Sequence, residues 1–286
     1  MLERRSAAWV LMSPPSLVLL LFFVAPLILM AVFSLRPDMH GGLFTLAWTP
    51  SLDHYRTIVQ GEVYLPLLLT SVQVAFVVAL SGTLLAYPVA YFLVFRARAR
   101  GPLFLTLLIL PFWTSYLLRI ISWKIILGSH GVINSLLVHV GLVDEPVRIL
   151  LYSRLAVIVT LVYVWLPFVA LPIYAALQRI DRSLLEAAAI LGAPPWLAFL
   201  RVTLPLSLPG LIAGFFMVFI PTVGEYVTPL LVGGSRGSLY GNIIEVYFGD
   251  GVNWPLGSAM ALVMLVGVLA MVAILARVVN LKRFVE

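Results

Sequence analysis

Residues 153–177 read Ser153-Arg154-Leu-Ala-Val-Ile-Val-Thr-Leu-Val-Tyr163-Val-Trp165-Leu-Pro167-Phe-Val-Ala-Leu-Pro172-Ile-Tyr174-Ala-Ala-Leu177. One charge stands at the edge and none follows, so a helix here has no polar face to turn toward water. Its length matches the roughly 20 apolar residues that cross the hydrocarbon core of a bilayer. Working outward, the same reading predicts further crossings at about 9–33, 65–95, 102–127, 206–232 and 255–279. Composition agrees. Of 286 residues, 62% are hydrophobic and 10% charged, with a mean hydropathy of +1.09. A water-soluble fold would lack the polar residues to cover its surface. The expectation is an all-α membrane protein: 1–286 as one transmembrane domain of six helices.

The first apolar run follows Arg4 and Arg5. It is longer than the roughly 7–15 residues of a signal-peptide core and has no clear small-residue cleavage site, so it is read as a retained helix. Pro14, Pro15 and Pro26 are tolerable there, because neighbouring helices can satisfy the backbone groups they free.

Several function classes drop out. With no cysteine, there is no disulfide, thiolate nucleophile or Cys-ligated metal. His40, His54, His130 and His139 fall in no ligand spacing, so no metal site is expected. The net charge of +6 is dispersed between apolar runs without a basic stripe, which argues against nucleic acid. A phosphate-binding GxxxxGK[ST] loop is missing, since Lys124 precedes Ile125 and Lys282 precedes Arg283. No GxSxG, HExxH or paired acidic motif appears either, so the chain is not expected to be an enzyme or to carry a cofactor.

Orientation follows from the Lys/Arg bias of short loops. With the N-terminus inside, the inner segments hold Arg4, Arg5, Arg96, Arg98, Arg100, Arg179, Arg182, Arg201, Arg277, Lys282 and Arg283. The outer segments hold Arg36, Arg56, Arg148, Arg154 and Arg236, with most of the acids: Asp38, Asp53, Glu62, Asp144, Glu145, Glu245 and Asp250. Both termini are therefore cytoplasmic, as is the loop at about 179–205.

That loop reads Arg179-Ile-Asp181-Arg-Ser183-Leu-Leu-Glu186-Ala187-Ala188-Ala189-Ile-Leu-Gly192-Ala-Pro194-Pro195-Trp196, then Leu-Ala-Phe-Leu-Arg201-Val-Thr-Leu204-Pro205. Ser183 and Glu186 have capping-box spacing, which predicts a helix start. The alanines give that helix a narrow face, and Gly192 is suited to the left-handed residue that ends it. Pro194 and Pro195 cannot continue it but can open a second helix, expected to lie on the membrane surface.

Glu186-Ala187-Ala188, Gly192 four residues on, and Leu204-Pro205 resemble the EAA signature of ABC importer permeases. The resemblance implies an importer-permease (MetI-like) bundle in the bacterial inner membrane, without catalytic residues of its own. Its short loop helix would dock on a separate ATPase subunit through Ser183, Glu186, Ala187, Ala188, Gly192 and Pro195. Partners implied are a second homologous permease, two copies of the ATPase carrying ATP and Mg, a periplasmic binding protein and membrane lipid. Three further stretches resemble permeases of the spermidine/putrescine type: Leu110-Pro-Phe-Trp113-Thr-Ser-Tyr116-Leu-Leu-Arg119, Gly131-Val-Ile-Asn134-Ser135, and Pro221-Thr-Val-Gly224-Glu225-Tyr226-Val-Thr-Pro229. Permeases for opines, 4-aminobutyrate and other small amines share much of this pattern.

A carboxylate inside a membrane is costly, so Glu225 in the fifth expected crossing is a candidate functional group. Gly224 and Pro229 predict a broken helix around it. Beside Tyr226, Trp113 and Tyr116 it suits an ammonium, by charge and by cation–π attraction. Two readings stay open: Glu225 pairs structurally with Arg119 or Lys124, and Trp113 and Tyr116 are packing or interface anchors. Arg119 and Lys124 would repel a polyamine unless paired or drawn to the interface, which keeps an anionic or zwitterionic solute open. A secondary transporter driven by an ion gradient is the rival class. It would need more buried titratable groups than Glu225 and leaves the loop unexplained.

Overall fold

The computed structural model describes residues 13–37, 49–249 and 253–278. Arg4, Arg5, Asp38, His40, Asp250, Lys282 and Arg283 lie outside these residues. Among the described residues all regular structure is helical. In chain order the helices are α1 (Ser13–Ser34), α2 (Asp53–Gln60), α3 (Tyr64–Arg96), α4 (Gly101–Trp113), α5 (Tyr116–Leu127) and α6 (Val132–His139). There follow α7 (Arg154–Gln178), α8 (Arg182–Ile190), α9 (Pro195–Val223), α10 (Tyr240–Phe248) and α11 (Trp254–Val278). Among the described residues six stretches are long and apolar enough to cross a membrane: α1, α3, Tyr116–His139, α7, α9 and Trp254–Ile274.

Two expected crossings have different bounds. The single helix expected at about 102–127 is divided, with α4 a shorter apolar helix and α5 starting after a break. Pro111 supplies no N–H, so regular bonding gives way to a tighter turn over Leu110–Trp113. Thr114 is extended, and its hydroxyl donates to the Pro111 carbonyl at 2.6 Å. The fifth crossing begins at Pro195 and ends at Val223, before Glu225. The surface helix expected after Pro194 is thus the first turn of that crossing, joined to it through a widened turn at Phe199–Thr203 just before Pro205.

By contacts between residues the chain forms two compact units, Met1–Pro66 with Ile243–Ala270, and Leu67–Asn242 with Met271–Glu286. In the first unit the rings of Phe33 and Trp254 meet edge to face, and Tyr55 donates to the Ser34 hydroxyl. The hydroxyls of Tyr64 and Tyr247 are 2.8 Å apart.

The second unit is built on α7 against α9, with α3 contributing small residues. Gly210 and Gly214 let the backbones approach closely: a Cβ at Gly210 would lie 2.6 Å from the Pro172 carbonyl oxygen. Without a hydrophobic drive between helices in lipid, such close contact by small residues is what holds crossings together. Val157, Leu161, Val164, Ile173, Leu177 and Phe219 are fully buried there, as are Ala75, Ala79, Ala86 and Ala90 of α3. Some polar groups in this core find protein partners, whereas Thr160 Oγ1 and Trp165 Nε1 of α7 are buried without one. Tyr87 bonds Ser207 at 2.9 Å, and Thr83 returns its hydroxyl to Ala79 of its own helix.

Candidate functional site

The loop between α7 and α9 carries α8. Its start differs from the capping box: the cap is Asp181, extended at φ −66° and ψ 129°, whose carboxylate accepts the Ser183 N–H at 2.9 Å. Ser183 is therefore the second helical residue, and Glu186 is too far along to reach back. An aspartate is a strong cap and adds its charge at the positive end of the helix, so it prevails over the serine two residues later. The Ser183 backbone and hydroxyl hold Asp181 below the usual carboxylate range. Glu186 and Ala187 are exposed, Ala188 half-buried, and the Glu186 carboxylate has no partner within α8 or elsewhere among the described residues.

The end of α8 is the one the glycine predicted. Gly192 has φ 77°, its N–H bonds the Ala189 carbonyl at 2.9 Å, and the Ala193 N–H bonds Ala188 at 3.0 Å. These are the paired bonds of a Schellman end. Pro194 is extended and Pro195 opens α9. Two residues escaped the sequence reading. Ile190 and Leu191 are each 86% exposed, at the tip of the loop between α7 and α9, with Trp196 at 63%. Bulky apolar side chains held out by a fixed turn make a small exposed apolar patch there. Their position immediately before Gly192 was the available signal.

At the far end of α9 the helix is broken at Gly224-Glu225-Tyr226, and a short helical turn, Pro229–Gly233, follows. The Glu225 carboxylate accepts the Thr228 N–H at 3.0 Å, so it caps the segment after the break. The Thr228 hydroxyl is 2.9 Å from that of Tyr116 on α5. This brings Tyr116 and Glu225 into one cluster. Tyr226 flanks it, 44% exposed, while Trp113 stands apart on the surface at 80% exposed. Glu225 does not pair with either basic residue. Arg119 stacks on the Phe112 ring at 4.5 Å and the Tyr116 ring at 5.9 Å, and Lys124 lies 5.8 Å from the Tyr152 ring centroid. Arg119 is 8% exposed, and its Nε is buried without a hydrogen-bond acceptor.

The break is held by residues that pattern reading passed over. The Asn242 side chain donates to the Tyr226 carbonyl at 2.8 Å and accepts the Leu239 N–H at 2.9 Å. Ser71 on α3 accepts the Tyr240 N–H at 2.8 Å. Gly241 lies against the carbonyls of Gly224 and Glu225, where a Cβ would come within 2.8 and 2.9 Å of their oxygens. Freed backbone groups of a discontinuous helix are thus either bonded or packed, as the membrane interior requires. An asparagine near the start of α10 was the mark of this in the sequence.

Comparison with known proteins agrees with this architecture. Residues 5–284 match the family described as binding-protein-dependent transport system inner membrane component. Over 212 residues the chain is 40% identical to the spermidine/putrescine transport system permease protein PotB of Escherichia coli K12, covering 74% of this chain and 76% of that one. The protein of the same name in Haemophilus influenzae is 37% identical over 245 residues, 85% of this chain and 84% of that one. Among solved structures, a chain of the bacterial alginate ABC transporter in complex with alginate pentasaccharide-bound periplasmic protein superposes with TM-score 0.74, covering 95% of this chain and 93% of that chain. At 18% identity that is a likeness of fold. A multi-pass helical chain with a capped and glycine-ended helix in the loop before α9 and a break after that crossing, it belongs to the binding-protein-dependent transport-system inner-membrane components, the permeases of ABC importers.

Proposed function

We propose that this permease carries a polyamine, or a related small amine, across the inner membrane by ATP-driven alternating access. The observation that carries the reading is Glu225. It sits where a crossing is broken, accepting the Thr228 backbone N–H and interacting with the Tyr116 hydroxyl, and it has no cationic partner within 4.0 Å among the described residues. A carboxylate so placed, with Tyr116 and Tyr226 beside it, is matched by an ammonium that arrives and leaves. The names of the spermidine/putrescine relatives support the same solute class. Energy enters at the other face: the exposed tip of α8 docks on one of two ATPase subunits, which hold ATP and Mg. Closure of those subunits rocks this chain against a second permease, and a periplasmic binding protein delivers the solute. Ser183, Glu186, Ala187, Ala188, Gly192 and Pro195 shape the docking element.

The test is Glu225→Gln in the reconstituted importer, with uptake of labelled spermidine and putrescine as the readout. The variant is expected to assemble and to lose at least about tenfold in uptake efficiency, in line with about 1.4 kcal/mol or more of lost ion attraction. Unchanged uptake would return Glu225 to a capping role. One observation favours a second reading, an amino-acid-like zwitterion: the Arg119 guanidinium beside Tyr116 has an unmet donor. Arg119→Gln should spare a diamine and impair a zwitterion, which separates the two.

A further inference from the structure

Membrane proteins carry few basic residues in their outward segments, so the placement of those that remain is informative. Five arginines fall in the outward segments of this chain: Arg36, Arg56, Arg148, Arg154 and Arg236. Two have local roles, Arg36 against the Phe33 ring and Arg56 with Asp53 at 3.8 Å. The other three line a single cavity of about 650 Å³. Among the described residues no acidic residue lines it, and although Asp144 and Glu145 precede Arg148 in sequence, neither carboxylate comes within 4.0 Å of these guanidinium groups.

The cavity is a shaped one. Arg154 Nε donates to the Arg236 carbonyl at 3.2 Å, tying the start of α7 to the loop after the broken crossing. Tyr152 in its wall has φ 56°, the one non-glycine residue with positive φ among those described. Its neighbour across the gap is Gly234, at φ 58°, where a Cβ would lie 2.9 Å from Tyr152 Cβ. Backbone held in this region for a bulky residue persists only where surrounding contacts impose it, and it concentrates at binding sites. The same loop continues from the turn that follows Glu225, and both Gly233 and Gly237 rest on Val157 of α7. A load on the cavity is therefore applied close to the break.

We propose that this cavity is the socket for an acidic surface element of the periplasmic binding protein, with Arg148, Arg154 and Arg236 receiving its carboxylates. The proposal rests on the importer reading given above. Guanidinium groups suit it because they remain charged and bind carboxylates with two parallel bonds. Opposite charge at such a rim sets encounter rate and register as well as affinity.

The experiment is direct binding of the substrate-loaded binding protein to the assembled transporter in nanodiscs, at low and high salt, alongside transport by the same preparation. Arg148→Glu and Arg236→Glu should each weaken binding by about tenfold or more and flatten its salt dependence. Reversal of an acidic residue on the binding protein to Arg should restore it. Arg148→Gln and Arg236→Gln, milder changes checked for assembly by size exclusion, should weaken binding by less, in the same direction. Wild-type affinity and salt dependence in assembled reversal variants would overturn the socket and leave the importer reading intact. So would loss of thermal protection by anionic phospholipid in these variants with binding unaltered, since the cavity would then hold a lipid headgroup. A wild-type transporter that neither binds the protein nor transports would overturn both.

Discussion

Gly241→Ala probes the helix break without touching any charged group. The added methyl would lie 2.8 Å from the Gly224 carbonyl oxygen and 2.9 Å from that of Glu225, both backbone atoms that cannot rotate aside. Relief requires the break to move by several tenths of an ångström, against the 2.8 Å Asn242 bond to Tyr226 that fixes it. Overpacking of this kind costs about 1–3 kcal/mol, a factor of roughly 5–150 in the folding equilibrium. The methyl would ordinarily favour a helix, so a net loss has to come from the clash. Gly267→Ala is the matched control, because nothing lies within 4 Å of the corresponding Cβ. Thermal unfolding of the purified complex and initial rates of uptake should both fall for Gly241→Ala and hold for Gly267→Ala. If the two variants melt and transport alike, the packing ascribed to Gly241 is wrong.

Two further outcomes concern the cytoplasmic loop. Glu186→Arg should leave the crossings folded while abolishing substrate-stimulated ATP hydrolysis in the assembled importer; full stimulation would remove Glu186 from coupling. Asp181 is held below the ordinary carboxylate range, so its cap is present at neutral pH and is lost only as pH falls through that lowered value. The protection factor of the first turn of α8, corrected for the intrinsic base-catalysed exchange rate, should therefore be steady across pH 6–8, fall in Asp181→Ala, and hold in Asp181→Asn, which keeps an acceptor (about pH 3.9 being the unperturbed midpoint).

The number of the crossings was legible because apolar length is summed over many residues and tolerates local error. Gly192 was legible because a left-handed φ excludes most other residues. The start of α8 was misplaced because Asp181 and Ser183 are both good caps two residues apart, and only the backbone conformation at Asp181 decides between them. The third crossing was drawn unbroken because a proline inside an apolar run is tolerated in some helices, Pro167 and Pro172 of α7 among them. Its effect at Pro111 depends on neighbours that pattern reading cannot see. Around Glu225 the break was foreseen from Gly224 and Pro229, whereas the residues that support it were not. Ser71 and Asn242 act from positions distant in sequence, and Gly241 matters only for what its missing side chain lets approach.

The proposed coupling requires α8 to be the cytoplasmic point of contact with the ATPase. The chain has no native cysteine, so Leu191→Cys introduces a single thiol, at a position 86% exposed. Treating intact cells and inverted membrane vesicles with a membrane-impermeant maleimide should label residue 191 only in the vesicles, and addition of the ATPase subunit should protect it. Labelling in intact cells, or labelling in vesicles that the ATPase leaves unchanged, would contradict the account.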